Sequence, residues 1–420
     1  MSELKAAARR IRITPSMNKP VHLQGYDENN VATSRSESDL YARVLLLECD
    51  GVRALIVTLD SCFASDATFW ACDGDKYREL SPALRPGTRN AWAEAARCAS
   101  DAVFVSPTHT HTGPVRLGNG EGEIYDAIEA GIRGALATLE PATLAIRTKT
   151  DPDFTDAVTG IPGLARLRRP GLIPHEAGKA AYPIDHTMTV VRIGRAEKGA
   201  APIAVLANYG IHPTLNETVT RMSPDFVGEA MLKFEAASKE TVALFLQGCS
   251  GDVCPVLWKG NDSRIAELAG YLYNHTAGAL DGDMEPLTPV APSGVTRAFR
   301  PTTRPNYNRK PEVVVSGVRF AAEAVLLGVS GELFSGYRWR IAGLAGAALD
   351  RRAYPHALVC GMVNGYSGYL PAAEDFDPAS PHYVREGPER LTYEMNVTPY
   401  TSNIERELMS EVDAVLKALA

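Results

Sequence analysis

Two histidines separated by a single residue are the strongest chemical signal in the sequence. His109 and His111 lie in the segment SPTHTHTGP, directly after a short apolar run that ends at Val105. Side chains two residues apart in an extended chain point to the same side, and histidine is the commonest metal ligand near neutral pH. The pair predicts a metal site, although one histidine in a turn and one bonded to a carbonyl group would give the same spacing.

Other apolar runs also end just before a polar residue of a type that binds ligands. These residues are Asp60 after 54–59, His212 after 203–207, Cys254 after 242–246, Glu332 after 324–329, and Tyr366 and Tyr369 after 357–363. Runs of this length and β-branched content predict buried strands. Ligands bind at the carboxyl ends of strands in open α/β sheets. We therefore expect one site assembled from several strand ends.

Three of these residues also have a purely structural interpretation. A histidine before proline, as His212 is, commonly has a structural role, and Glu332 suits the start of a helix, where the dipole favours a carboxylate. Cys254 would be a nucleophile if the pKa of its thiol were depressed. A buried apolar cysteine is the more frequent use of that residue.

Helical patterns lie between the predicted strands. Residues 90–99 are rich in alanine, 124–139 and 403–419 carry apolar residues at spacings of three and four, and Pro224 marks a helix start before 226–238. This alternation predicts an α/β protein. No internal repeat is visible in the sequence, and we expect a single domain over residues 1–420. Residues 281–310, which are rich in proline and threonine, predict an irregular excursion within it.

The composition excludes several classes of protein. A hydrophobic fraction of 45% and a charged fraction of 22% are those of a globular chain. The formal net charge of −7 argues against a nucleic-acid binder. No apolar run is long enough to span a membrane, and no apolar segment follows the basic N-terminus as in a secretory signal. The cysteines, 7 in number and without a CxxC pair, predict reduced thiols. We expect a cytoplasmic protein without stable membrane association.

A series of motifs, taken in order, resembles the neutral/alkaline non-lysosomal ceramidase family. The motifs are LQGY at 23–26, LDSCF at 59–63, SPTHTHTGP at 106–114, IHPT at 211–214, FLQGCSGDVCP at 245–255, GELF at 331–334 and NGYSGYLP at 364–371. The resemblance covers the N-terminal amidase domain of that family, from about residue 10 to the C-terminus. It implies mixed β-sheets flanked by helices, without the C-terminal β-sandwich of classical ceramidases.

The resemblance also implies a zinc-dependent amidohydrolase with one zinc ion per chain. The zinc ligands that it implies are His109, His212, Glu332 and Tyr369. It further implies that His111 lines the catalytic pocket, that Tyr393 contacts the reacting group, and that Arg168, or alternatively Arg169, contributes between the histidine motifs. Another divalent metal in place of zinc remains open.

The sequence departs from the family pattern in one loop. Cys254 stands where the family has a serine with a role in the reaction, and Val256 stands where it has an asparagine. Classical ceramidases are secreted or membrane-associated, whereas this sequence carries no export signal. We therefore expect a small or soluble substrate rather than ceramide, and a homo-oligomer stays open.

The expected chemistry is the attack of a metal-activated water on an amide carbonyl. His111 would move the proton from the water to the leaving nitrogen, while Tyr393 and Arg168 would hydrogen-bond the oxyanion or an anionic substrate group. Two alternatives remain. The first is a hydrolase of an ester, lactone or other bond on the same metal site, and the second is a non-catalytic ligand-binding homologue.

Overall fold

The computed structural model describes residues 3–26, 30–67, 69–73, 76–80, 82–150, 165–167, 187–197, 199–216, 218–255, 262–305, 307, 311–347, 354–378 and 393–420. Its helices are α1 (Thr88–Ala96), α2 (Gly122–Ala137), α3 (Asp225–Ala237), α4 (Asp262–Leu280), α5 (Tyr337–Gly346), α6 (Tyr393–Val397) and α7 (Ile404–Leu419). Within the described ranges, none of these helices has both the length and the hydropathy needed to cross a membrane.

The strands are β1 (Leu4–Arg12), β2 (Leu23–Gly25), β3 (Ser34–Arg35), β4 (Tyr41–Cys49), β5 (Val52–Leu59), β6 (Phe69–Asp73), β7 (Lys76–Leu80), β8 (Val103–Pro107), β9 (Thr112–Pro114), β10 (Glu140–Thr150), β11 (Ala165–Leu167), β12 (Thr187–Arg195), β13 (Ala204–Tyr209), β14 (Arg221–Met222), β15 (Val242–Gln247), β16 (Val253–Pro255), β17 (Glu285–Pro286), β18 (Pro289–Phe299), β19 (Val313–Ala321), β20 (Ala324–Val329), β21 (Glu332–Leu333), β22 (His356–Cys360) and β23 (Tyr369–Leu370).

Three consecutive stretches of the chain repeat one arrangement of elements, and we call them the first, second and third units. The first contains β1, β4, β5, α1, β8 and α2, the second β10, β12, β13, α3, β15 and α4, and the third β18, β19, β20, α5, β22 and α7. In each unit the first three strands pair antiparallel in chain order, and the fourth joins the third in parallel. A helix crosses between the third and fourth strands, because a parallel pair needs a long connection.

The three units form two large sheets. The first and second units share a 9-stranded sheet in the order β15-β13-β12-β10-β1-β4-β5-β8, with β17 beside β10, because β1 pairs with β10. The third unit forms a 4-stranded sheet in the order β18-β19-β20-β22.

Apolar side chains arrange these sheets and the helices in four layers. Leu206 and Leu326 belong to a core between the inner faces of the two sheets. Helices cover the outer faces, where Trp92 packs on the first unit, Phe226 on the second and Ile341 on the third. Strands that are buried on both faces carry continuous apolar runs instead of alternating ones. The four-layer arrangement therefore explains the unbroken apolar runs of the sequence.

The ends of the large sheet and the third unit meet at one place. β8 and β15 lie at opposite ends of the 9-stranded sheet. Even so, the Gln247 side chain at the end of β15 donates a hydrogen bond to the carbonyl oxygen of Thr108, just after β8, with an Nε2–O distance of 3.3 Å. The main-chain N–H of Gly361, just after β22, donates to the carbonyl oxygen of Gln247 at 3.0 Å. The carboxyl ends of the fourth strands of all three units therefore lie together.

The predicted α/β class is confirmed, and the strands and helices proposed from apolar periodicity are present. The runs 54–59, 203–207, 242–246 and 324–329 correspond to β5, β13, β15 and β20, and the helical patterns correspond to α1, α2, α3 and α7. The run 357–363 ends earlier, at Cys360, because Met362 has a φ of 58° in the left-handed region, which no strand accommodates.

The irregular excursion predicted over residues 281–310 is wrong for part of that stretch, which contains the 11-residue strand β18. β18 is an edge strand, and its register against β19 shifts between Pro289 and Ser293. Prolines are tolerated at edges and at such irregularities because they have no N–H to donate to a neighbouring strand. Their frequency in the sequence therefore signals an edge strand here.

Candidate metal centre

Side chains from all three units converge just beyond the carboxyl ends of their third and fourth strands. They are Cys62 after β5, His109 and His111 after β8, His212 after β13, Glu332 after β20 and Tyr366 after β22. Tyr366 is half-buried and the others are buried. The structure thus brings together residues that are distant along the chain, at the edge where α/β sheets bind their ligands.

Three imidazoles and one carboxylate form the centre of this cluster. The Nε2 atoms of His109 and His111 lie 3.2 Å apart. Oε2 of Glu332 lies 3.1 Å from Nε2 of His212 and 3.6 Å from Nε2 of His109. The ring centroids of His109 and His212 are 4.9 Å apart. The potential ligand atoms of His109, His212 and Glu332 therefore face one small volume, and His111 lies beside His109.

Main-chain carbonyls fix the orientation of two of these rings. Nδ1 of His109 lies 2.9 Å from the carbonyl oxygen of Cys62. Nδ1 of His212 lies 2.6 Å from the carbonyl oxygen of Ser250 and 2.9 Å from that of Val253. A carbonyl oxygen only accepts hydrogen bonds, so both Nδ1 atoms carry a proton and both Nε2 atoms face the cluster. Histidines that bind metals are oriented by outer partners in this way.

The Glu332 carboxylate is held on one side and left without a hydrogen bond on the other. The phenol of Tyr366 donates to Oε1 at 2.7 Å. Oε2 is buried and accepts no hydrogen bond of acceptable geometry from the described residues. Asp252 supports the loop behind the carboxylate, because its Oδ1 and Oδ2 accept hydrogen bonds from the N–H and the hydroxyl of Ser335 at 2.7 and 3.0 Å. A buried oxygen in this position calls for a cation.

The electrostatics of the cluster favour the charged carboxylate. Burial alone would raise the pKa of Glu332, but His109 and His212 outweigh it and hold that pKa well below its usual range. Burial lowers the pKa of His109, whereas Cys62 and Glu332 raise it to about 10. Burial raises the pKa of the Cys62 thiol. One ionised carboxylate between two imidazoles is the arrangement that a bound divalent cation stabilises.

Unusual backbone geometry accompanies the two histidines after β8. His109 has a φ of 69°, in the left-handed region that non-glycine residues rarely adopt. Gly25 has a φ of 129°, and a Cβ atom on it would lie 2.4 Å from the Cα of His111. The ring of Tyr26 contacts His111 edge-on, with centroids 5.2 Å apart. The LQGY segment thus packs against His111 in a way that only glycine at position 25 allows.

The donor types fit a zinc ion. Two overlapping groups of side chains have all their ligand atoms within 4.8 Å of one another, namely His109 with His212 and Glu332, and His109 with Cys62 and His111. Zinc is bound in proteins by imidazole nitrogen, carboxylate oxygen and thiolate sulfur, and catalytic sites often use two histidines and one glutamate. The residues present in the structure therefore satisfy the requirements of such a site.

Tyr369 lies directly beside Glu332. β21 and β23 pair in parallel, with Glu332 opposite Tyr369. Paired residues of neighbouring strands point to the same face of a sheet. The buried Tyr369 side chain therefore leaves its strand on the face that carries the Glu332 carboxylate.

The other residues proposed from the sequence have different placements. Cys254 is buried in β16, next to Val253, and neither donor group among the described residues includes it. Tyr393 begins α6, but its side chain lies outside the described residues, and so do Arg168 and Arg169.

Sequence reasoning missed the part played by two residues. No role is assigned to Cys62 from the sequence alone, although it stands two positions after Asp60 at the same edge of the sheet as the histidines. Tyr366 was noted after the strand but not given a role. Their positions just beyond β5 and β22 are the signal that could have identified both.

Comparisons with known proteins agree with this geometry at the level of the fold. No protein family profile matches the chain, and no curated protein matches its sequence. A solved structure described as a ceramidase complexed with C2 has a TM-score of 0.75 and 16% identity, over 100% of this chain and 75% of that one. Neutral ceramidase from Pseudomonas aeruginosa has a TM-score of 0.73 and 16% identity, with the same coverage. The chain therefore has the mixed α/β fold of these ceramidases.

Proposed function

We propose that this protein is a zinc-dependent amidohydrolase that cleaves the C–N bond of a small or soluble amide. The observation that carries the proposal is the buried cluster in which His109 and His212 lie beside Oε2 of Glu332 and His111 lies beside His109. The ceramidase-like fold supports amide hydrolysis as the reaction class.

One zinc ion per chain would be held by His109, His212, Glu332 and Tyr369. The two Nε2 atoms and Oε2 of Glu332 face one volume, and the pairing of Tyr369 with Glu332 in the register of β21 and β23 supports Tyr369 as the fourth ligand. When bound, the ion supplies Lewis-acid chemistry, which activates water and polarises the amide carbonyl.

The remaining residues of the site handle protons and substrate. His111, buried beside His109, accepts the proton of the attacking water and passes it to the leaving nitrogen. Tyr393 and Arg168 donate hydrogen bonds to the developing oxyanion or to an anionic group of the substrate. Tyr26 contacts His111 and is 37% exposed, which suits a residue that meets the substrate as it enters the site.

Metal analysis of three variants tests the proposal. We expect about one zinc ion per wild-type chain, and loss of both zinc and hydrolysis in His109→Ala and His212→Ala, because each variant removes one ligand of a small ligand set. His356→Ala is the matched control, since His356 begins β22 and pairs with Glu285 at 3.1 Å. Full activity in protein without stoichiometric metal would refute the proposal.

Cys254 separates the metal mechanism from a thiol mechanism. With water as the nucleophile, Cys254→Ser retains at least part of the activity and iodoacetamide leaves the wild-type enzyme active. With the thiol as nucleophile, the serine variant loses activity and alkylation inactivates the enzyme. The burial of Cys254, which is 1% exposed, favours the first outcome.

The substrate bond is identified by a library of small amides, esters and lactones. Preferential turnover of amides supports the proposal, whereas preferential turnover of esters or lactones assigns the same metal site to the alternative hydrolase. A ligand that binds and is recovered unchanged by mass spectrometry, with no turnover of any library member, identifies a non-catalytic binder.

A further inference from the structure

The side chain of Gln247 touches the loops that carry two of the proposed ligands. Gln247 ends β15 and is fully buried. Its Nε2 donates to the carbonyl oxygens of Thr108 at 3.3 Å and Ile211 at 2.7 Å. Its Oε1 accepts from the N–H of Ile211 at 3.2 Å and of Gly248 at 3.1 Å. The side-chain amide has two donor hydrogens and two acceptor lone pairs, so all four are used.

Three of these four hydrogen bonds end on the residues that directly precede the histidines. Thr108 precedes His109 in the first unit, and Ile211 precedes His212 in the second. The two bonds to carbonyl oxygens therefore restrain the peptide groups that lead into His109 and His212. The planar amide spans the gap between the ends of the large sheet, beside a main-chain hydrogen bond from the N–H of His111 to the carbonyl oxygen of Pro213 at 3.3 Å.

The loop after β8 has a particular need for restraint. His109 is held at a φ of 69°, and a residue in that region persists only where its surroundings over-determine it. The N–H groups of Thr108 and His109 donate to Leu59 and Ser61 at 2.8 and 2.9 Å. Gln247 binds the carbonyl of Thr108, on the opposite side of the same segment.

We propose that Gln247 is a positioning residue of the metal centre, which sets the distance between the His109 and His212 rings through the backbone of both loops. The inference rests on the proposed function, because it concerns the geometry of the same site. It assigns Gln247 no contact with substrate or zinc.

A purely structural role is the competing explanation, and Asn208 provides the control. Asn208 is also a buried amide at a unit boundary, and its Nδ2 donates to the carbonyl oxygens of Leu246 at 3.1 Å and Val359 at 3.2 Å. Replacing either amide with an apolar side chain of similar size leaves buried carbonyls without their donor. Both substitutions therefore destabilise the fold, but only one of them loosens the histidine loops.

The test compares Gln247→Met with Asn208→Leu. We expect similar losses in the midpoint of urea unfolding. In chelator competition, we expect zinc affinity to fall about 10- to 100-fold in Gln247→Met, as found for outer partners of metal ligands, and to stay near the wild-type value in Asn208→Leu. At saturating zinc we expect kcat to fall in Gln247→Met, with KM unchanged.

A second variant and a separate readout keep the outcomes distinct. If Gln247→Met does not fold, Gln247→Glu keeps the shape and the acceptor atoms but lacks the donor hydrogens to Thr108 and Ile211. Wild-type zinc affinity in the folded variant, or equal zinc loss in Asn208→Leu, would overturn the inference. A wild-type protein that binds no zinc would overturn the proposed function itself.

Discussion

The first and third units share the order and direction of their strands but give the metal centre different chemical groups. The loop after the fourth strand of the first unit carries two imidazoles, His109 and His111. The loops of the third unit carry the Glu332 carboxylate and the Tyr366 phenol, joined by a 2.7 Å hydrogen bond. The strands therefore determine where each side chain lies, and the residue type in the loop determines which chemical group it contributes.

The units also differ in how they are joined to each other. Arg43 of the first unit forms buried ion pairs with Asp60 at 3.1 Å and with Glu235 of the second unit at 2.9 Å. The third unit is joined to the first by a neutral side chain, because the amide of Asn364 donates to the carbonyl of Val103 at 3.2 Å and accepts from the N–H of Val105 at 2.9 Å. The first boundary therefore contains a buried charged network, and the second contains a buried neutral amide.

Removing the charge at the first boundary should have the largest effect on stability. Arg43→Met leaves the carboxylate of Asp60 buried without its guanidinium partner, and it leaves Glu235 paired with the partly exposed Arg10 at 2.8 Å. We expect the free energy of unfolding to fall by about 3–5 kcal/mol, as measured by urea denaturation.

Arg133→Met is the control for that substitution. Arg133 forms an exposed pair with Glu129 on α2 at 2.8 Å, so its loss should change the unfolding free energy by at most about 1 kcal/mol. Equal effects of the two substitutions would show that the buried network does not stabilise the boundary.

The histidine loop of the second unit, unlike that of the first, is bound by Asp225, and this residue should make the free energy of unfolding depend on pH. Oδ2 of Asp225 accepts hydrogen bonds at 3.0 Å from the N–H groups of Leu215 and Asn216, just after His212. Burial raises the pKa of Asp225 from 3.8 to about 6. The folded state therefore holds this proton more tightly than the unfolded state, and the free energy of unfolding should fall as pH rises from about 4 to 6, by about 3 kcal/mol in total.

The measurement is urea unfolding of the wild type and Asp225→Asn across this pH range. Asparagine suits the left-handed backbone of position 225, where φ is 54°. The difference between the two proteins should show the slope, because other titrating groups are common to both. Parallel stability curves would contradict the assignment of a raised pKa to Asp225.

Substitution of Tyr366 or Tyr369 in the third unit should have the smallest of these effects. The zinc affinities of the two variants should show which tyrosine is the ligand. Tyr366→Phe removes the hydrogen bond to Glu332 but keeps the ring, which lies 4.0 Å from the Phe63 ring between centroids. We expect zinc affinity to fall about 10- to 100-fold in chelator competition. Tyr369→Phe, which removes a proposed ligand, should lose more, and the reverse order would assign the ligand to Tyr366.

The sequence predicted the strands that are buried on both faces better than it predicted β1. Strands such as β13 and β15 are buried on both faces, so their apolar runs are continuous and easy to recognise. β1 was not predicted, because its sequence LKAAARRIR is rich in alanine and arginine. Its place between β4 and β10 makes it a strand, since tertiary context overrides β-propensity.

The repeat of three units could not be detected from the sequence. The units share the order and direction of their strands, whereas their residues differ because each contributes a different group to the site. Gln247 was missed for a related reason. Gln247 acts by binding the main-chain carbonyl groups of Thr108 and Ile211. Any residue at those two positions would supply the same carbonyl group, so no sequence pattern indicates the contact.

The meeting of β8, β15 and β22 has a consequence for how the protein matures. The proposed metal centre requires two opposite ends of one sheet and the edge of a second, so a chain with any unit unformed lacks the cluster of potential ligands. Such distant contacts form late in folding, after the entropy of closing long loops has been overcome. An ion that binds only the folded protein stabilises the folded state alone. Metal occupancy would therefore show that all three units have folded and packed together.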